Sequence, residues 1–130
     1  MSRNAFTADD LEKCLIAFGA NIINLTASLP RTPQGQHIAR QILRSGTATA
    51  ANYGEARGAE SRSDFVHKLG VVQKELNETA IWIRMIEQSS LLAQEKIVAL
   101  LAENRELCRI VTASIRTAKG LNKSRVTDDH

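Results

Sequence analysis

Proline and aromatic residues are scarce, with two of the first and five of the second in 130 positions. Strand-rich folds draw on aromatic and β-branched residues and punctuate themselves with turn residues. Here Ala, Leu, Ile, Glu, Lys and Arg dominate instead, and these favour helices. There are only two cysteines, Cys14 and Cys108, and they lack metal-type spacing. They read as reduced core residues of a cytoplasmic protein. No apolar run approaches the ~18 residues of a membrane span, and the start, "MSRNAFTADDLEK", lacks the apolar segment of an export signal. Missing too are G-x-x-x-x-G-K-[ST] and G-x-G-x-x-G, so no phosphate-cradling loop is expected.

What is present is helical periodicity. Thr7 and Asp10 form a T-x-x-D capping signal, after which Leu11, Leu15, Phe18, Ile22, Leu25 and Leu29 recur at spacings of four and three. Pro30 ends that helix. Thr32-Pro33 then supplies an N-cap followed by proline at the first helical position, starting a second helix with Ile38, Ile42 and Leu43 in the core. Ser61 and Asp64 repeat the signal before a third helix, where Phe65, Leu69, Val72, Leu76, Thr79, Ile83 and Ile86 keep the rhythm. A fourth follows Ser89-Ser90 with Ile97, Leu101, Asn104, Cys108, Val111 and Ile115 on one seam, Leu100 and Leu107 beside it, and Gly120 as its stop. Four amphipathic helices on short links predict an all-α, antiparallel up-down four-helix bundle. Residues 1–120 are expected to form one domain and 121–130 a flexible tail.

The stretch "RSGTATAANYGEARGAE" (44–60) tests that scheme, because three glycines sit inside it. Each glycine within a helix costs roughly 1 kcal/mol relative to alanine. Gly46, Ala50, Gly54 and Gly58 recur every four residues, which predicts a thin helix face for the close approach of another helix or subunit.

The linked motifs around it carry a resemblance. Leu29 to Thr32 is similar to L-P-x-T, and Gln41 to Ala56 to Q-x-x-R-S-G-T followed by A-N-x-x-E-A. Ser61 to Leu69 is similar to S-x-x-D-F-x-x-K-L, and Lys74 to Trp82 to K-E-x-x-E-T-x-x-W. Over roughly residues 11–90 the chain thus resembles the bacterial four-helix-bundle proteins encoded in intervening sequences of 23S ribosomal RNA genes. It departs at Tyr53-Gly54, commonly aliphatic or small there. The resemblance implies a homo-oligomer, typically a pentamer. It also extends to the accessory protein of diversity-generating retroelements, which contacts a reverse transcriptase and nucleic acid.

Catalysis finds little support. His37, His67 and His130 are the only histidines, and Asp64-x-x-His67 is half of a di-iron pattern that requires two such motifs and further glutamates. Neither a metal, a cofactor nor a catalytic residue is expected. Glu75 and Glu78, one turn apart, read as partners for cations of a neighbouring helix; Arg44 is expected to pair with Glu75 or Glu55 and fix register or assembly. Trp82 reads as an anchor between helices or subunits. The net charge is +3, and residues 105–125 set six cations against Glu106 alone, a local +5. Arg105, Arg109, Arg116, Lys119 and Lys123 form a row that would bind phosphate, with Arg40 and Arg44 beside His37 as a second patch. The opposed reading is a solvated face suited to a helix C-terminus. The function expected is therefore a non-catalytic scaffold binding structured RNA or DNA. The alternative is a protein-binding adaptor for a nucleic-acid enzyme such as a reverse transcriptase.

Overall fold

The computed structural model describes residues 5–121. Its four helices are α1 (Ala8–Ala27), α2 (Pro33–Arg57), α3 (Arg62–Ser89) and α4 (Gln94–Ala118). Each packs on the next in sequence and α4 returns to α1, the antiparallel up-down arrangement; the α1–α4 seam is the thinnest. None of the four is long and apolar enough to cross a membrane. The expected tail lies outside the described residues apart from Leu121.

The helix starts follow from local chemistry. Thr7 Oγ1 accepts from the Asp10 amide at 3.1 Å while Asp10 Oδ2 accepts from the Thr7 amide at 2.9 Å, so two orphan donors are satisfied together. The Thr7 backbone bond, aided by its hydroxyl, holds the exposed Asp10 carboxyl below its usual range. Thr32 Oγ1 and Ser61 Oγ accept from Gly35 N and Asp64 N, each at 3.0 Å. Ser90, at φ +59°, stops α3 in the left-handed region, and Gly120, at φ +77°, turns the chain after α4.

All six apolar positions of the α1 stripe are buried, as are Leu69, Val72, Leu76, Ile83 and Ile86 of α3. Two expectations need correction. Leu43 is exposed, because Ile42 already takes the inward position and the next residue lies about 100° round the helix. In α4 the inward row is Ile97, Leu100, Asn104, Leu107 and Val111, with Leu101, Cys108 and Ile115 only half-buried on its α3 side. Ser45, Thr49, Thr79 and Asn104 make a polar layer inside the core. Thr79 Oγ1 lies 2.8 Å from Ser45 Oγ across the α2–α3 contact.

The glycine row divides. Gly46 is buried, and a Cβ there would meet Ile22 Cγ1 and Cγ2 at 2.8 Å, so α1 and α2 depend on its bareness. Ala50 is half-buried at the same contact. Gly54 faces open space and Gly58 is the C-cap beyond the helix. A four-residue repeat advances 40° per step beyond a full turn, so the row rotates out of the α1 contact along α2.

Candidate nucleic-acid interface

Two polar contacts fix which side of α4 meets α3. Gln73 Nε2 donates to Thr112 Oγ1 at 2.7 Å, and Cys108 Sγ lies 3.6 Å from Asn77 Oδ1. Arg105 stands three residues before Cys108, Arg116 four after Thr112, and Lys119 three further on. Those spacings place the three cations along the α3-facing edge of α4. Across the seam, Lys74, Asn77, Ile81 and Arg84 recur at three, four and three residues on α3. Lys74 and Arg84 are exposed and form no ion pair among the described residues. Gly70, one turn before Lys74, leaves open space beside it.

Glu103, Glu75, Glu78 and Glu55 lie elsewhere, whereas Glu87 follows Arg84 by one turn on α3. Glu103 accepts from Asn21 Nδ2 of α1 at 3.2 Å, on the opposite edge of α4. Glu75 and Glu78 face α2, and Glu55 is 3.9 Å from Lys68 Nζ. The α3–α4 face is therefore cationic through segregation of charge, although the whole chain carries only +3.

The row read from the sequence is split by this geometry. Arg109 pairs with Glu106 one turn back, and both line a cavity between α1 and α4. That places Arg109 toward the α1 side of the row, beside the acid Glu106. Lys123 lies outside the described residues. Lys74 and Arg84 were not assigned to a phosphate surface by sequence alone; the available signal was the polar pair Gln73 and Asn77 beside the α3 stripe, matched by Cys108 and Thr112 on α4.

Arg40 is exposed on α2, but Arg44 is engaged. Arg44 contacts Glu78 directly and places Nη1 3.6 Å from Glu75 Oε1. Trp82 Nε1 donates to the same Glu78 carboxylate at 3.1 Å, and its ring meets His37 edge-on at 6.0 Å. The expected Arg44–Glu75 pairing is present, whereas the Glu55 alternative is not. Glu75 Oε1 is buried with no hydrogen bond, so Arg44 is its main charge compensation. Arg44→Ala is expected to cost about 1 kcal/mol, a value held down by the exposed guanidinium. Adding Glu75→Gln should return part of that loss; urea melts of the single and double variants would expose an independent pair as strictly additive.

Among the described residues no group of three or more His, Cys, Asp or Glu side chains is placed to hold a metal ion. Burial raises the Cys108 thiol above its ordinary pKa, which works against thiolate chemistry.

No curated protein matches the chain. Among solved structures it is similar to a protein of unknown function from the S23 ribosomal protein family of Bacteroides thetaiotaomicron VPI-5482. The two share 30% identity with a TM-score of 0.78, over 82% of this chain and 98% of the other. A family model described as "23S rRNA-intervening sequence protein" matches residues 11–113, which adds most of α4 to the region carrying the motifs. From Leu11 on α1 to Ala113 on α4, the chain belongs to the 23S rRNA-intervening sequence protein family.

Proposed function

We propose that this protein is a non-catalytic, homo-oligomeric scaffold that binds the phosphate backbone of structured RNA or DNA through its α3–α4 face. The observation that carries the reading is the segregation of charge on α4. Arg105, Arg116 and Lys119 share the edge facing α3, while Glu103 is held against α1. With Lys74 and Arg84 this gives five cations per chain along one seam. Assembly multiplies such a surface; the family resemblance implies five subunits, for a total near +15 by the formal charge. The proposed setting is the cytoplasm.

The test is a titration of nuclease-treated protein against single-stranded DNA, duplex DNA and structured RNA at several salt concentrations. Binding should weaken with salt, and Arg105→Ala with Arg116→Ala should reduce the logarithmic salt slope by about 2. An unchanged slope in the double variant would remove the α3–α4 face from the interface. Sequence preference is expected to be weak, because phosphate contacts position a protein without reading bases.

A second reading, the adaptor, has its own observation. Ile81 and Met85 are exposed and border a shallow hollow with Arg84, Gln88 and Ser89. Such a surface fits an apolar anchor from a protein partner, including a nucleic-acid enzyme. Absence of polyanion binding near physiological salt, together with retained partner capture lost in Met85→Glu, would favour it over the scaffold.

A further inference from the structure

The thin α1–α4 seam opens at one end into a cavity of about 720 Å³, within the range of small-molecule sites. Its walls come from all four helices and the two residues before α1, among them Phe6, Leu11, Tyr53, Phe65, Ile110 and Ala113. Its breadth has a sequence cause. Where α4 passes α1 it presents Ala113, Ser114 and Ala118, too small to fill the space between two helix axes. The surface lining it is mostly apolar, and Phe6 is half-exposed at its edge.

Tyr53 gives the cavity chemical direction. The residue is 4% exposed and lines the wall, yet its hydroxyl makes no hydrogen bond among the described residues. The ring is buried, but the hydroxyl oxygen is open to the cavity, where it can donate to whatever fills the space. Burial also raises its pKa, so the group stays a neutral O–H donor. The charges around it are engaged with one another, with two carboxylates sharing Arg57. Arg57 Nη1 lies 2.8 Å from Asp9 Oδ1 and 2.6 Å from Glu12 Oε1, and Arg109 pairs with Glu106. An anion would meet that excess of carboxylate and a cation would have to compete with Arg57, whereas a neutral ligand does neither.

We infer that this end cavity is a binding site for a neutral, largely apolar small molecule bearing one hydrogen-bond acceptor, which takes the Tyr53 hydroxyl. The site is separate from the α3–α4 face and does not depend on its activity.

The experiment uses the full chain and two fluorescent probes. One is 6-propionyl-2-dimethylaminonaphthalene, neutral and apolar with a single carbonyl acceptor; the other is diphenylhexatriene, a hydrocarbon with none. Both should bind saturably. Tyr53→Phe should weaken the carbonyl probe roughly three- to tenfold and leave the hydrocarbon unchanged, the span of one neutral hydrogen bond. Ala113→Phe, at an exposed wall position, should abolish both while helix content by circular dichroism stays the same. Lack of saturable binding to the wild-type chain would overturn the inference. So would carbonyl-probe affinity equal in wild type and Tyr53→Phe, or probe binding that survives Ala113→Phe.

Discussion

Gly35→Ala is expected to be among the most damaging single substitutions, costing about 3–4 kcal/mol as the sum of a backbone overlap and a lost helix cap. A Cβ at Gly35 would lie 2.1 Å from the Pro30 carbonyl oxygen and 3.0 Å from its carbon. Both are backbone atoms of the tight link between α1 and α2, so no rotamer change can relieve the contact. The chain would have to open the link, and that motion pulls Gly35 N from Thr32 Oγ1, the cap of α2. A loss of that size corresponds to roughly 10 °C or more in Tm for a domain of this length. Gly54→Ala is the matched control. Its added methyl would meet nothing within 4 Å, so the unfolded chain loses freedom at no steric cost, for a gain of about 0.5–1 kcal/mol. Thermal melts of the two variants should move in opposite directions. A Gly35→Ala melt at the wild-type temperature would show that the link yields freely.

That contrast also marks what a sequence conveys and what it withholds. The caps at Thr7, Thr32 and Ser61 were legible because each is a local arrangement spanning three residues. The α1 stripe was legible because it runs unbroken at spacings of four and three from Leu11 to Leu29, against only Ile16 and Ile23 on the exposed side. α4 offers two, since Leu100 and Leu107 compete with Leu101 and Cys108 about 100° away. Which row turns inward depends on how α4 divides its contact between α3 and α1, a tertiary fact absent from its own residues. Gly35 gave no signal at all: its partner is a carbonyl brought near by the fold of the link. The candidate site shows the same limit. The α4 cations were visible as a row, but the diversion of Arg109 toward Glu106 depended on side-chain geometry. The inclusion of Lys74 and Arg84 depended on the α3–α4 register.

Asn104 is the buried polar tie between α4 and the α3 backbone, and its substitutions should separate stability from register. It is 1% exposed, and Nδ2 donates to the Leu76 carbonyl of α3 at 2.9 Å while Oδ1 lies 3.6 Å from Cys108 Sγ. Thr49 reaches a carbonyl of its own helix, and Thr79 meets Glu75 O of its own helix and Ser45 of α2, so neither ties α3 to α4. Asn104 crosses from one helix to the backbone of the next, and an apolar neighbour could slide where this amide cannot. Asn104→Ala should cost about 2–3 kcal/mol, a lost hydrogen bond together with a cavity. Asn104→Leu should cost less than about 1 kcal/mol, because leucine refills the volume and the Leu76 carbonyl retains its place in the helix ladder. If the amide fixes register, the leucine variant will keep its melting temperature yet broaden the amide resonances of α3 and α4. On the proposed function its affinity for duplex nucleic acid should also fall, since Lys74 and Arg84 on one helix would lose step with Arg105 and Arg116 on the other. Sharp resonances and unchanged affinity in Asn104→Leu would show that apolar packing alone sets the alignment and that the buried amide contributes only stability.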